Sequence, residues 1–223
     1  MTILAIFVPM KRYSHFIFDV DGTLLDTERT GLESLRITIL ELTGKNLSME
    51  ELLPCFGLPS SVAAREMGYP DPKVFGDLWE THFQELYNLV KPFPGMEDTL
   101  RRIKAAGIRM GLCTSRSRFE FDSDPHLRKM LHLFDWSICF GDCAKPKPAP
   151  DPLLAYMEKA SSDLGKKVVP EECLLIGDTT NDFFCARSAG CDFALADWKG
   201  RGMQGMQAQY HITCADDLLA LLK

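Results

Sequence analysis

Phe18-Asp-Val-Asp-Gly-Thr-Leu-Leu-Asp26 is the stretch on which the reading of this chain turns. It follows His15-Phe-Ile-Phe18, a compact apolar run rich in β-formers, so the pair reads as a buried strand running into a turn. Asp-Gly by itself signals no more than a turn. Two carboxylates at i and i+2, placed where a buried strand ends, are more specific. Asp19 is then a candidate nucleophile toward phosphorus, because carboxylates form aspartyl-phosphate intermediates. Asp21 is placed to serve as general acid and then as general base. Gly22 permits the tight turn that brings both toward a substrate.

Working outward, the residues after this turn change period. Leu32, Leu35, Ile39 and Leu42 recur at helical spacing up to Gly44, Ser48 and Glu51 form a capping-box signature, and Asp71-Pro72 opens a further helix carrying Phe75, Leu78, His82, Leu86 and Leu89. Nothing between Thr27 and Lys91 reads as a strand. After Pro92, Pro94 and Gly95 the pattern alternates. Strands are expected at Arg109–Cys113, Trp136–Phe140, Cys173–Ile176, Asp192–Ala196 and Tyr210–Thr213. Helices are expected at about Met96–Ala106, Leu127–Leu133, Pro152–Leu164, Asp182–Ala189 and Asp216–Leu222. Alternating strands and helices imply a parallel sheet covered on both faces. The expected fold is therefore α/β, with a parallel-sheet core over residues 1–27 and 92–223 and an inserted all-helical unit over residues 28–91.

In such sheets ligands bind beyond the carboxyl ends of the strands. Three further groups fall there. In Leu112-Cys-Thr-Ser-Arg116, a hydroxyl and main-chain amides at a strand-to-helix junction can hold phosphate oxygens, which makes Thr114, Ser115 and Arg116 candidate substrate contacts; a simple Ser/Thr cap is the plainer alternative. In Lys145-Pro-Lys-Pro-Ala-Pro-Asp151, Lys147 between two prolines can offset the charge of a nucleophile and a phosphoryl group, whereas a rigid linker with solvated lysines is the plainer alternative. In Leu175-Ile-Gly-Asp-Thr-Thr-Asn-Asp182, Asp178 follows an apolar strand directly. A hard cation such as Mg²⁺ takes oxygen ligands, which Asp19, Asp178 and the main-chain carbonyl of Asp21 can supply. Asp182 is open between a water-mediated ligand, a group that orients Lys147 and a helix cap.

Composition narrows the function classes. A formal net charge of -6 argues against a nucleic-acid or membrane-surface partner, both of which need a basic face, but does not exclude a small anionic substrate. The eight cysteines form no CxxC pair and no zinc-type spacing with histidine, which points to free thiols in a reducing cytoplasm. The apolar run at residues 2–9 is too short to span a membrane and lacks the marks of a signal peptide. The acidic segment Phe119–Asp124 is open between tuning substrate choice and a solvated loop, the plainer reading, and Trp79, Phe83 and Leu86 read as core of the helical unit rather than a binding box.

The four motifs, in this order, resemble those of the haloacid dehalogenase-like hydrolase superfamily. Asp19-Val-Asp-Gly-Thr-Leu-Leu-Asp26 is similar to its first motif, Thr114 to the second, Lys147 with Pro148-Ala-Pro-Asp151 to the third, and Gly177-Asp-Thr-Thr-Asn-Asp182 to the fourth. The helical insert resembles a type 1 cap, and Phe93-Pro-Gly-Met96 and Phe56-Gly-Leu-Pro59 are similar to strings of the phosphoglycolate phosphatase-like and β-phosphoglucomutase-like subgroup. The resemblance implies a Rossmann-like core, Mg²⁺ dependence and a phosphoaspartate intermediate on Asp19. It implies hydrolysis of a small phosphorylated metabolite, phosphoglycolate-like or a sugar phosphate, by a monomer or homodimer. A phosphomutase is the enzymatic alternative, but Gly31 stands where such mutases carry a cap histidine. Asp21 argues against dehalogenase chemistry. A phosphate-binding regulatory protein without turnover is the alternative from another class.

Overall fold

A computed structural model describes residues 13–222; the apolar run at 2–9 lies outside them. The chain forms β1 (His15–Phe18) and the two-residue β2 (Leu25–Asp26), then the helices α1 (Glu28–Thr43), α2 (Met49–Leu52), α3 (Ser60–Glu66) and α4 (Pro72–Glu85). The two-residue β3 (Lys91–Pro92) follows. After it come α5 (Met96–Ala105), β4 (Arg109–Ser117), α6 (Arg118–Ser123), α7 (Pro125–Met130), β5 (Trp136–Phe140), α8 (Asp151–Leu164), β6 (Cys173–Gly177), α9 (Thr180–Ala189), β7 (Asp192–Ala196) and β8 (Tyr210–Ile212).

Six strands make one parallel sheet in the order β5-β4-β1-β6-β7-β8. Strand β1 lies between β4 and β6, so successive crossovers leave it in opposite directions, and that reversal opens a crevice at its carboxyl end. The period of two in β1 assigns its side chains to opposite layers. Phe16 and Phe18 join a core with α5 and α7 residues such as Leu100, Ile103 and Leu127, while Ile17 joins a second core with Tyr156 of α8 and Ala186 of α9. Cys113, Cys173, Cys185 and Cys191 are buried in that second core, and all eight cysteines are free thiols. A third cluster, including Leu32, Leu35, Leu52, Ala63 and Phe75, lies within the helices between β2 and β3.

Among the described residues no strand lies between Asp26 and Lys91. Strands β2 and β3 pair antiparallel, Leu25 with Pro92 and Asp26 with Lys91, where the chain enters and leaves the helical segment. This two-residue ladder was too short to carry a periodic signal.

Four local readings are corrected. Strand β4 runs to Ser117 rather than ending at Cys113, with a register shift against β5 between those two residues. The acidic segment is not a solvated loop. Ser117 and Glu120 form a capping box that starts α6, and Asp124 is buried, its side chain capping α7 through the amides of His126 and Leu127. The helix expected at Leu127–Leu133 is α7 followed by a 3-10 turn over Leu131–Leu133, because Pro125 sets an earlier start. The closing helix is a 3-10 helix over Ala215–Leu222. No helix among the described residues is long and apolar enough to cross a membrane.

Candidate active site

Register places the site. Phe18 pairs with Leu112 on one side and Ile176 on the other, so the residues that follow these three emerge at the same end of the sheet. Asp19 leaves β1 there, its amide donating to the carbonyl of Ile176 (2.9 Å). Gly22 turns the chain with φ of 82°, and a side chain at this position would place Cβ 2.1 Å from Asp178 Oδ2. Only glycine lets the turn after β1 sit against the carboxylate after β6.

Lys147 reaches the same point. It is 6% exposed, and its ammonium donates to Asp19 Oδ1 (2.6 Å), Asp182 Oδ1 (2.6 Å) and the carbonyl of Cys113 (3.2 Å). Burial works against the charged lysine, but the carboxylates of Asp182 and Asp19 outweigh it and hold the ammonium well above the usual lysine range. Asp182 is fully buried. Its other oxygen accepts from the amide and hydroxyl of Thr179, and Thr179 accepts in turn from the Asp182 amide, a capping box that starts α9. Of the three readings open in the sequence, the geometry supplies two at once, a helix cap and a partner for Lys147.

Asp19, Asp178 and Asp182 each offer a carboxylate oxygen within 4.8 Å of the others. Burial pushes the Asp19 carboxyl up to about 7; Lys147 opposes the rise, while Asp182 and Asp21 add to it. Burial likewise raises Asp178 well above the ordinary carboxyl value, with Asp19 and Asp182 adding to the effect and a hydrogen bond from Thr23 (2.9 Å) opposing it. One ammonium does not balance these carboxylates. An all-oxygen acidic cluster short of positive charge fits a hard divalent cation.

Asp21 lies on the other side of the crevice and accepts two bonds from Arg116, Nε to Oδ2 (2.8 Å) and Nη2 to Oδ1 (2.7 Å). Burial alone would raise its pKa, but the Arg116 guanidinium reverses the effect and holds the carboxyl below its ordinary value. Arg116 also donates to Asp124, which accepts from the hydroxyl of Tyr87 as well. Asp124 and Tyr87 were missed from the sequence. The capping box Ser117–Glu120 and the pair Asp124-Pro125 were the available signals that this segment is ordered rather than solvated.

Thr114 is buried at the site end of β4, and its hydroxyl accepts from the Arg116 amide (3.2 Å). Ser115 lines a cavity of 720 Å³ together with Asp21 and Arg116. Trp79 and Phe83 line it too, so they face this space as well as packing. Arg65 of α3 is exposed and does not line it.

Residues 16–196 match the family model described as haloacid dehalogenase-like hydrolase. The pyrophosphatase PpaX of Anoxybacillus flavithermus is 27% identical over 213 residues, covering 92% of this chain and 95% of its own. The PpaX of Bacillus cereus strain G9842 is 27% identical over 218 residues, covering 95% and 97%. Among solved structures, the "putative phosphoglycolate phosphatase" of Lactobacillus plantarum superposes with a TM-score of 0.81 at 26% identity, covering 94% of this chain and 99% of its own. With a match over most of its length and the parallel α/β fold to go with it, this chain belongs to the haloacid dehalogenase-like hydrolase family.

Proposed function

We propose that this protein is a Mg²⁺-dependent phosphatase acting on a small phosphorylated metabolite through a phosphoaspartate on Asp19. The observation that carries the reading is the buried contact of Lys147 with both Asp19 and Asp182, beside Asp178. A carboxylate can approach an anionic phosphorus centre only where positive charge is fixed around both. Asp19, Asp178 and the main-chain carbonyl of Asp21 would hold the cation, which when bound supplies charge neutralisation to the phosphoryl oxygens.

In the first step Asp21, which takes up one proton as the negative charge of the substrate enters the crevice, gives that proton to the leaving oxygen while a carboxylate oxygen of Asp19 bonds to phosphorus and the bond from phosphorus to the leaving oxygen breaks. In the second, Asp21 takes a proton from water as the water oxygen bonds to phosphorus, and Asp19 is released with inorganic phosphate. Arg116 orients Asp21 in both. When Asp21 is protonated, Arg116 keeps Asp124 as its counter-ion and stays in place. Thr114 and Ser115 contribute hydrogen-bond donors to the phosphoryl oxygens. The helical segment 28–91 acts as a cap over the crevice and the sheet core as its base. Closure excludes water that would otherwise screen these charges.

Gly31, which lines the cavity, has no side chain to shuttle a proton between two hydroxyls from that position, and this favours hydrolysis over a mutase. The test is a phosphoester screen with Mg²⁺ and with EDTA, on the native protein and on Asp19→Asn. Phosphate release that requires Mg²⁺, with the variant folded but slower by at least ~100-fold, is expected. Near-normal turnover by the variant would refute the assigned nucleophile.

A further inference from the structure

The cavity beyond Asp21 has an unusual balance of charge for a site that receives an anion. Its wall carries five carboxylates against two cations, Lys73 and Arg116. Neither cation is uncommitted. Arg116 is buried between Asp21 and Asp124, and Lys73 projects into solvent, its side chain 83% exposed and paired with Asp77. Glu80, one of these five, has its pKa raised by burial; the hydrogen bond from Gln84 and the charge of Arg116 oppose the rise and nearby Glu120 adds to it, so two of the carboxylates already crowd each other on this side. Five aromatic side chains share the wall with small and uncharged polar residues: Phe56, Trp79 and Phe83 come from the helical segment, and Phe119 and Phe140 from the sheet side. Phe119 is 76% exposed, the most exposed large apolar side chain among the described residues, and it stands in this wall.

The phosphoryl group itself is provided for at Asp19, Lys147 and Thr114. Whatever is attached to it must extend past Asp21 into the cavity. A second anion there would lose water without gaining a free cation, and it would face carboxylates. A flat apolar group would cover Phe119 and meet the faces or edges of Trp79 and Phe83.

We propose that this cavity receives the leaving group of the substrate and selects phosphomonoesters whose leaving group is flat and apolar and carries no second negative charge. The proposal rests on the phosphatase reading and narrows it away from phosphoglycolate and pyrophosphate. It makes Phe119 and Glu80 specificity-determining residues, Phe119 by stacking and Glu80 by repulsion.

The experiment compares kcat/KM with Mg²⁺ for ethyl phosphate, 2-phenylethyl phosphate, phosphoglycolate and inorganic pyrophosphate. The first three share an alkoxide leaving oxygen, so the comparison among them reads the cavity. 2-Phenylethyl phosphate is expected to exceed ethyl phosphate by at least ~10-fold, with phosphoglycolate and pyrophosphate below 2-phenylethyl phosphate. Phe119→Ser, at an exposed position that the cores do not need, is expected to lower the phenylethyl-to-ethyl ratio by ~3-fold or more. Glu80→Gln is expected to raise the phosphoglycolate-to-ethyl ratio by a similar factor, about 3-fold. Phosphoglycolate or pyrophosphate as the best substrate, or ratios unmoved in both variants, would overturn this inference and leave the phosphatase reading standing. Release of phosphate from none of the four would overturn both.

Discussion

At the scale of single residues, the chemistry of this protein is set by which charges are compensated and which are not. Lys147 is compensated twice over, and Asp21 is paired with Arg116, which favours its charged form until a substrate enters. His15 shows the same accounting away from the site. It opens β1, is 3% exposed, and its Nδ1 lies 3.0 Å from the hydroxyl of Tyr156. Burial lowers its pKa from the ordinary value; the carboxylate of Glu172 pulls the other way and does not prevail. On acidification the unfolded chain therefore takes up this proton first, below about pH 6.5. The stability linked to His15 is full above that pH and is lost as pH falls toward the folded pKa. The urea midpoint is expected to fall more steeply between about pH 7.5 and about 5.5 in the native protein than in His15→Asn. Parallel slopes in the two proteins would remove His15 from this role.

At the scale of elements, short capped helices hold the site in place. Helix α6 spans only Arg118–Ser123, too short to persist on its own, and its start is fixed by the reciprocal bonds of Ser117 and Glu120. Ser117→Ala is expected to cost about 1 kcal/mol in chemical denaturation. No loss of stability would mean that α6 is held by packing alone. The elements also show where sequence reading succeeds. The six strands of the sheet declared themselves through apolar runs followed by turns, and the residues after β1 and β6 converge with the last residues of β4 because parallel strands share a carboxyl end. The β2–β3 ladder has two residues per strand and no periodicity to read. Asp124 reads as part of a solvated loop when the three acids in six residues are weighed above the Ser117–Glu120 spacing of a capping box and the Asp124-Pro125 helix start, and it is those two local signals that the fold follows. The union of Asp21, Arg116, Asp124 and Tyr87 is tertiary: residues 87 and 124 meet only when the end of the helical segment folds against the sheet side.

At the scale of the whole molecule, the carboxylate cluster joins elements far apart in sequence, since Asp19 follows β1 while Asp178 and Asp182 flank the start of α9. A cation bound there would grip the folded state and not the unfolded chain. Mg²⁺ at about 100 times its Kd is expected to add about 2.7 kcal/mol of stability, seen as a rise in Tm that EDTA reverses. The rise is expected to shrink in Asp178→Asn. A Tm indifferent to Mg²⁺ in the native protein would count against the metal assignment.

The buried sulfurs of the second core give the molecule a built-in gauge of its own breathing. Six of the eight cysteines are buried, Cys143 is partly covered and Cys214 alone is exposed. An aqueous thiol reagent such as a disulfide chromophore is expected to consume Cys214 promptly, Cys143 more slowly, and the remainder only at the pace at which the interior opens. The colour released over hours then reads the frequency of that opening with no label introduced, and immediate titration of all eight would show that the second core is not closed.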